Sequence, residues 1–374
     1  MTMSNAPFQL TTTQKKQVSL LYYFASLEYL KGLQQRLHAL LASIDPTLDL
    51  AKLQNRDELL TDPRWGTRNT ADNWGNNGWP FLADFELSVA TLIAKRAFES
   101  YGRTGVNQCE RGLAELSLDW MTPDEEEDFQ TRLEQISLYA GNIDDTVYQH
   151  DSSGRWDDFT LTVTLQEMPD VLHSSPALRL RPDVIGQTGQ TPVRTGVYLP
   201  LDDPYGSPQF CWTGPPAGKL LECNTFNDLG LAALAALGRR ALWLDEQGTQ
   251  AFARAHAKDP RLTQDNFFDY SLAKPHLTPS LVGRHAFTTR PCSWIYVEQL
   301  HGEPMDWQDS GETATPAGGP RAEAGAPCPQ AGYYFTPAKL DSRRHFAADE
   351  TMPQVGGQYG HTIWQWDSDQ EDSK

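Results

Sequence analysis

The sequence predicts an α+β fold. An N-terminal antiparallel helical bundle occupies residues 1–150, and a β-rich C-terminal region of short antiparallel strands with an inserted helix occupies 151–374. Three observations predict it. Apolar residues recur at steps of three and four through most of the first half. From Trp156 onward short β-like runs replace them, broken by proline and glycine. Within that half, residues 192–244 pass from strand-like runs to a helical period.

In order, residues 1–12 form a loose arm. Thr12 or Thr13 can cap a long helix reaching about residue 43. Val18, Leu21, Tyr22, Ala25, Tyr29, Leu33, Leu37 and Leu40 keep its period, and Pro46 ends it. Residues 46–84 are weakly periodic and read as a loop holding Trp65, Trp74 and Trp79. Tryptophans there either staple the loop to the core or stand out as binding anchors. A second helix runs over about 85–101, up to Gly102, and a shorter piece over 107–118. The run WMTPDEEED places Thr122 at a cap, Pro123 in the first turn and acids after it, which opens a helix reaching about Gly141. Its buried set is Phe129, Leu133, Ile136 and Tyr139 or Ala140.

FTLTVTL at 159–165 alternates strictly and predicts a strand. Prolines and glycines crowd 169–192. Strand-like runs follow at 193–200, 209–213 and 220–223. Asn224 or Asn227 then caps a buried helix marked by Leu229, Ala233, Leu237 and Trp243. Further helices are expected over 247–257 and within FFDYSLAKP, a strand over 292–300, and a Gly/Pro/Ala/Glu-rich loop over 309–326. RTGVY at 194–198 resembles QAGYY at 330–334, and each precedes a tryptophan-bearing run, FCW at 210–212 and IWQW at 363–366. The pair reads either as two copies of one β unit or as chance likeness.

The chain has 374 residues, 10% of them aromatic with eleven tryptophans, enough apolar bulk for a substantial core. Its formal net charge of −18 opposes binding to nucleic acid, whose phosphates need a basic surface, and suits a basic partner or simply solubility. Cys109, Cys211, Cys223, Cys292 and Cys328 are odd in number and scattered, which points to a reducing compartment. Cys211 and Cys223 can be neighbours across a hairpin and are expected as free, buried thiols. No apolar run reaches the roughly 18 residues that span a bilayer. The first residues lack a basic segment followed by an apolar one. The expectation is a cytoplasmic protein with no membrane contact.

Sites of chemistry are weak. GPPAGKL at 214–220 is one residue short of a phosphate loop, and Leu220 stands where a magnesium-binding hydroxyl is needed. His345, Asp349, Glu350 and His361 lack the spacing of a metal set and read as a surface cluster. No cofactor or metal is expected, and no G-x-S-x-G elbow is present. Acidic groups recur at 124–128, Asp144-Asp145, Asp157-Asp158, Asp202-Asp203, Asp245-Glu246 and in the tail 367–372. Taken one at a time they are solvated faces; together they can steer a basic partner onto the protein.

TGVYLPLDD, QFCWTG and NTFNDLG followed by Arg239 and Trp243 resemble the immunity proteins of polymorphic-toxin systems, often encoded beside type VI secretion effectors. CPQAGYYFTP, RRHF, DETMPQ and YGHTIWQW are similar to the C-terminal segment of the same group. The likeness covers about the last half of the chain; before it only the helical start YYFASLEYLKGL agrees in character. It implies a non-enzymatic protein that blocks one cognate toxin stoichiometrically. A hydrolase that reverses a toxin's modification and an adaptor for effector loading are the alternatives. Toxin contacts are expected at Asp202, Asp203, Asp124 and Glu125, with Trp74 and Trp79 as anchors.

Overall fold

Helix α1 spans Thr12–Ala25 and α2 spans Leu27–Leu53, so the expected single helix is two. Thr11 caps α1, one residue before the expected position. The apolar period crosses Ser26 unbroken, but Ser26 leaves the helix at ψ 150° and its hydroxyl accepts the Tyr29 N–H at 3.0 Å, capping α2. Pro46 does not end α2 but lies inside it. A proline there costs about 3 kcal/mol in isolation. Burial of Ile44 and Ala51 on either side, with Leu48 packed on the core, carries the helix through. The coordinates are a computed structural model describing residues 10–150, 155–173, 175–239, 241–305, 307, 321–336, 342–355 and 362–366.

The stretch expected as a loop is partly helical. Helix α3 is Arg56–Leu60, and α4 is Ala71–Asn77, capped by Thr70. Trp74 of α4 packs on Trp120 and Phe129, with ring centroids 5.3 and 5.8 Å apart. Helix α5 is Trp79–Lys95, starting earlier than expected, and α6 is Val106–Leu113. Helix α7, Pro123–Thr146, opens on the expected Thr122 cap, completed by Glu125 into a capping box. It runs through Gly141 instead of ending there, because Ile143, Asp144 and Thr146 are buried beneath its last turn.

FTLTVTL is not a strand: α8 spans Asp158–Glu167. Asp157 caps it in a capping box with Thr160, and the buried Leu161 and Asp158 fix its inner face. Cap and burial outweigh the β preference of alternating threonines.

Strand β1, Pro176–Gln187, crosses the proline-rich stretch as an edge strand, and a register shift between Arg181 and Ile185 absorbs Pro182. Strands β2, Gly196–Pro200, and β3, Gln209–Cys211, form the expected antiparallel hairpin. Strand β4, Cys223–Phe226, begins where the third run was expected to end. Asn227 caps α9, Asp228–Leu237, which ends at Gly238 before reaching Trp243. The single inserted helix is the first of several: α10 Glu246–Ala255, α11 Pro260–Thr263, α12 Phe268–Ala273 and α13 Thr278–His285 follow. Strand β5, Phe287–Arg290, pairs with β4, so β4 leaves the hairpin sheet. Strand β6, Ser293–Pro304, completes an antiparallel sheet in the order β1-β6-β2-β3.

The division expected at residue 150 is not where the chain divides; its compact units are Met1–Asp306 and Trp307–Lys374. Val197, Leu199, Phe210, Ile295 and Val297 of the sheet, with Trp212 just after β3, share one core with Val18, Leu21, Phe24 and Phe85 of the helices. Tyr22 of α1 donates its hydroxyl to the Val297 carbonyl. A second core joins Phe226, Leu229, Trp243, Phe252 and Leu281 among the inserted helices. The other face of the sheet buries Tyr198, Cys211, Cys223, Cys292 and Trp294. The smaller unit holds β7 Arg321–Glu323, β8 Gly332–Phe335, β9 Arg344–Phe346 and β10 Ile363–Trp366, so part of the expected 309–326 loop is strand. Its core is Ala322, Cys328, Tyr334, Phe346, Met352 and Trp364.

The two units carry the same sheet pattern. In each the first strand lies at an edge, the last strand beside it, then the second and the third, as β1-β6-β2-β3 and β7-β10-β8-β9. In each the second strand opens on glycine, and two residues on a buried tyrosine donates back to a carbonyl: Tyr198 to Arg194 at 2.7 Å, Tyr334 to Gln330 at 2.8 Å. Tyr198 stands opposite Tyr296 and Tyr334 opposite Trp366. Two residues before those partners lie the buried Trp294 and Trp364, facing Gly186 and Ala322. The matching tryptophan strand is therefore β6, not the FCW run suggested by sequence.

Candidate interaction surface

The residues singled out in the sequence fall in separate places. Asp124 and Glu125 occupy the first turn of α7, where the helix dipole favours anions. Asp124 is exposed. Glu125 is half-buried, accepts the Thr122 N–H at 2.8 Å and pairs with Arg56 at 2.6 Å. The Arg56 guanidinium holds its carboxyl below the usual carboxylate range. Trp74, only 1% exposed, is a core residue and no surface anchor. Trp79 is half-buried and donates its indole N–H to Asp45 at 3.1 Å. The tryptophan of this stretch that faces solvent is Trp65, 68% exposed.

Asp202 and Asp203 follow β2. Asp203 is buried and takes the Arg290 Nε at 2.8 Å. Asp202 is exposed, yet its carboxylate accepts the Ser293 N–H at 2.9 Å and its carbonyl accepts from Arg290. The Ser293 N–H holds the Asp202 carboxyl below the usual range. This pair ties the β2 turn to β5 and β6. Among the described residues no hydrogen bond joins it to the pair on α7. Adjacent acids signal charge, not exposure, and half of these four are consumed by arginines distant in sequence.

Asp158 is likewise structural. Buried, it accepts from Gln17 at 2.8 Å, from Trp243 Nε1 at 2.8 Å and from both terminal nitrogens of Arg239. Arg239 and Trp243 of the sequence motif thus converge on one carboxylate. Asn227, its third marked residue, caps α9 and donates to the carbonyls of His285 and Phe287 at 2.8 and 3.1 Å. Asp144 is buried too, accepts the Thr104 N–H at 2.7 Å, and has its carboxyl pushed up to about 6 by burial.

All five cysteines are buried and free. Burial pushes the thiols of Cys109 and Cys211 up to about 12, far from a reactive thiolate. Cys211, Cys223 and Cys292 share one buried cluster. The Cys223 thiol donates to the Asn224 carbonyl at 3.4 Å, and the neighbouring Cys292 thiol and burial push the Cys223 thiol up. In the smaller unit Glu350 accepts the Ala347 N–H at 2.9 Å. His361 and the acidic tail lie outside the described residues. Among the described residues no three His, Cys, Asp or Glu side chains gather as metal ligands.

An open groove with a volume of about 520 Å³, not apparent from the sequence, lies between α6 and α7. Glu110 comes from α6; Glu134, Leu138, Gly141 and Asp145 follow along α7 at steps of four, three and four, a single helical stripe. Leu138 is 67% exposed. An exposed leucine and a glycine between acids, opposite the buried Phe129, Ile136, Ala140 and Ile143, were the available signal.

No known protein family matches the chain, and no curated protein or solved structure is significantly similar to it. Among the described residues no helix is long and apolar enough to cross a membrane.

Proposed function

We propose that this protein is an immunity protein of a polymorphic-toxin system, acting in the cytoplasm by binding one basic toxin and blocking it stoichiometrically, without transforming a substrate. The observation that carries the reading is acidic surplus on a folded scaffold: 49 acids against 31 lysines and arginines, with a groove whose charged lining is entirely acidic. Complementary charge raises association with a basic protein by roughly 10- to 1000-fold and loses that gain in salt. The residues that resemble the immunity group support the reading in a second way. Asn227, Arg239 and Trp243 are occupied in holding α8, α9 and β5 together, as marks of a scaffold rather than of a reaction.

The test is co-expression with the protein encoded beside it. A one-to-one complex on purification, with growth protected only when this protein matches the toxin in amount, is the expected result. Protection at one-tenth of the toxin's amount would make the protein a catalyst. A complex that survives deletion of the toxic domain would make it a loading adaptor.

A further inference from the structure

We infer that the groove between α6 and α7 seats a basic segment of a protein partner, and that Gly141 keeps the groove open. The partner's identity rests on the function proposed above; the chemistry of the groove does not.

Glycine inside a helix costs about 0.5–1 kcal/mol relative to alanine. Close packing explains other helical glycines here: a Cβ on Gly112 would meet the Phe81 ring at 2.4 Å, and one on Gly32 the Tyr139 hydroxyl at 2.5 Å. A Cβ on Gly141 would meet nothing within 4 Å, and Gly141 has no left-handed backbone to protect. Its missing side chain leaves space, and that space is the groove. Leu133 and Leu138 offer apolar surface beside it, Glu110, Glu134 and Asp145 surround it, and no lysine, arginine or histidine lines it. The Ser137 hydroxyl, also on the groove, is buried without a hydrogen-bond partner among the described residues.

An arginine or lysine side chain fits this arrangement. Its methylenes lie on the leucines and its cation reaches the carboxylates. A nucleic acid or an anionic headgroup meets three carboxylates and no cation. A wholly apolar partner would desolvate those carboxylates without pairing them.

The probe is a short labelled peptide of leucine and arginine, with a leucine–glutamate peptide of the same length as control, followed by fluorescence anisotropy on the full chain. The arginine peptide is expected to bind and the glutamate peptide not. Glu110→Gln with Glu134→Gln should weaken binding at least tenfold, whereas the charge-matched pair Glu58→Gln with Glu303→Gln should change it less than twofold. Gly141→Phe should abolish binding; if that variant fails to fold, the exposed glutamine pairs still decide. No binding by the unaltered chain, equal weakening by the two pairs, or undiminished binding by a folded Gly141→Phe overturns the inference. The two failures separate: absence of a toxin complex with the unaltered chain removes the proposed function and leaves the peptide result standing, while loss of groove dependence alone removes only the groove.

Discussion

Asp158 shows how much one side chain can hold. At 2% exposure its charge would cost several kcal/mol if unpaired, and Arg239, Trp243 and Gln17 all answer it. Asp158→Ala leaves Arg239 without its counter-charge. Because Arg239 is itself 33% exposed, water recovers part of the loss, and the expected destabilisation is about 3 kcal/mol in urea unfolding, the low end for a broken buried pair. A loss below about 1 kcal/mol would show the cluster to be decorative. Asp144 behaves differently. Burial raises its carboxyl from 3.8 to about 6, so between those values the native state keeps a proton that the unfolded chain has released. Its contribution to stability is therefore greatest below about pH 4 and declines as pH rises to about 6, by up to about 3 kcal/mol. Asp265 runs the other way. Against its own desolvation, the Phe267 N–H, His285 and Arg284 hold its carboxyl at about 2, so its stabilisation is present above about 3.8 and lost as pH falls through 2. Asp144→Asn removes the first slope only. Thermal melts from pH 4 to 7 should be flatter than those of the unaltered chain, and identical slopes would refute the assignment.

At the scale of elements, α7 gives the sharpest contrast. Gly141→Ala places a methyl in open space and should raise stability by about 0.5–1 kcal/mol, while Gly112→Ala in α6 meets the Phe81 ring and should lower it. Paired urea titrations check both signs; a destabilised Gly141→Ala would mean that packing, not the groove, selects this glycine. Helix α7 also shows what sequence can convey. Thr122, Pro123 and the acids after them mark its start because each acts on the local backbone, and the structure begins the helix there. Its end at Thr146 is tertiary: nothing local reveals that Ile143 and Asp144 find burial beyond Gly141. The break at Ser26, the passage through Pro46 and the helical FTLTVTL have the same cause, since a cap or a buried neighbour overrides the local period. Glycine read as a stop signal also hid the groove, and Glu110 reaches it from another helix. The RTGVY and QAGYY pair was legible because a tyrosine bonding four residues back is local chemistry; its true tryptophan partner, Trp294, came from a strand nearly one hundred residues on.

Two units with separate cores define the whole molecule. Such a chain need not unfold in one step. Calorimetry should resolve two transitions, and Tyr334→Phe, which removes the bond to the Gln330 carbonyl, should shift only the smaller. A single transition with equal calorimetric and van't Hoff enthalpies would contradict independent cores. On the larger unit, the acids that sequence marked as contacts are mostly engaged within the fold, and the acidic, apolar-floored α6–α7 groove is the place we propose for a basic partner. The function we propose is one-to-one occupation of that partner through complementary charge. The decisive measurement is isothermal titration of the protein encoded beside it, the proposed toxin, at low and at high salt. One-to-one saturation with affinity falling steeply as salt rises is expected; saturation far below one equivalent, or an affinity indifferent to salt, would refute charge-driven blocking.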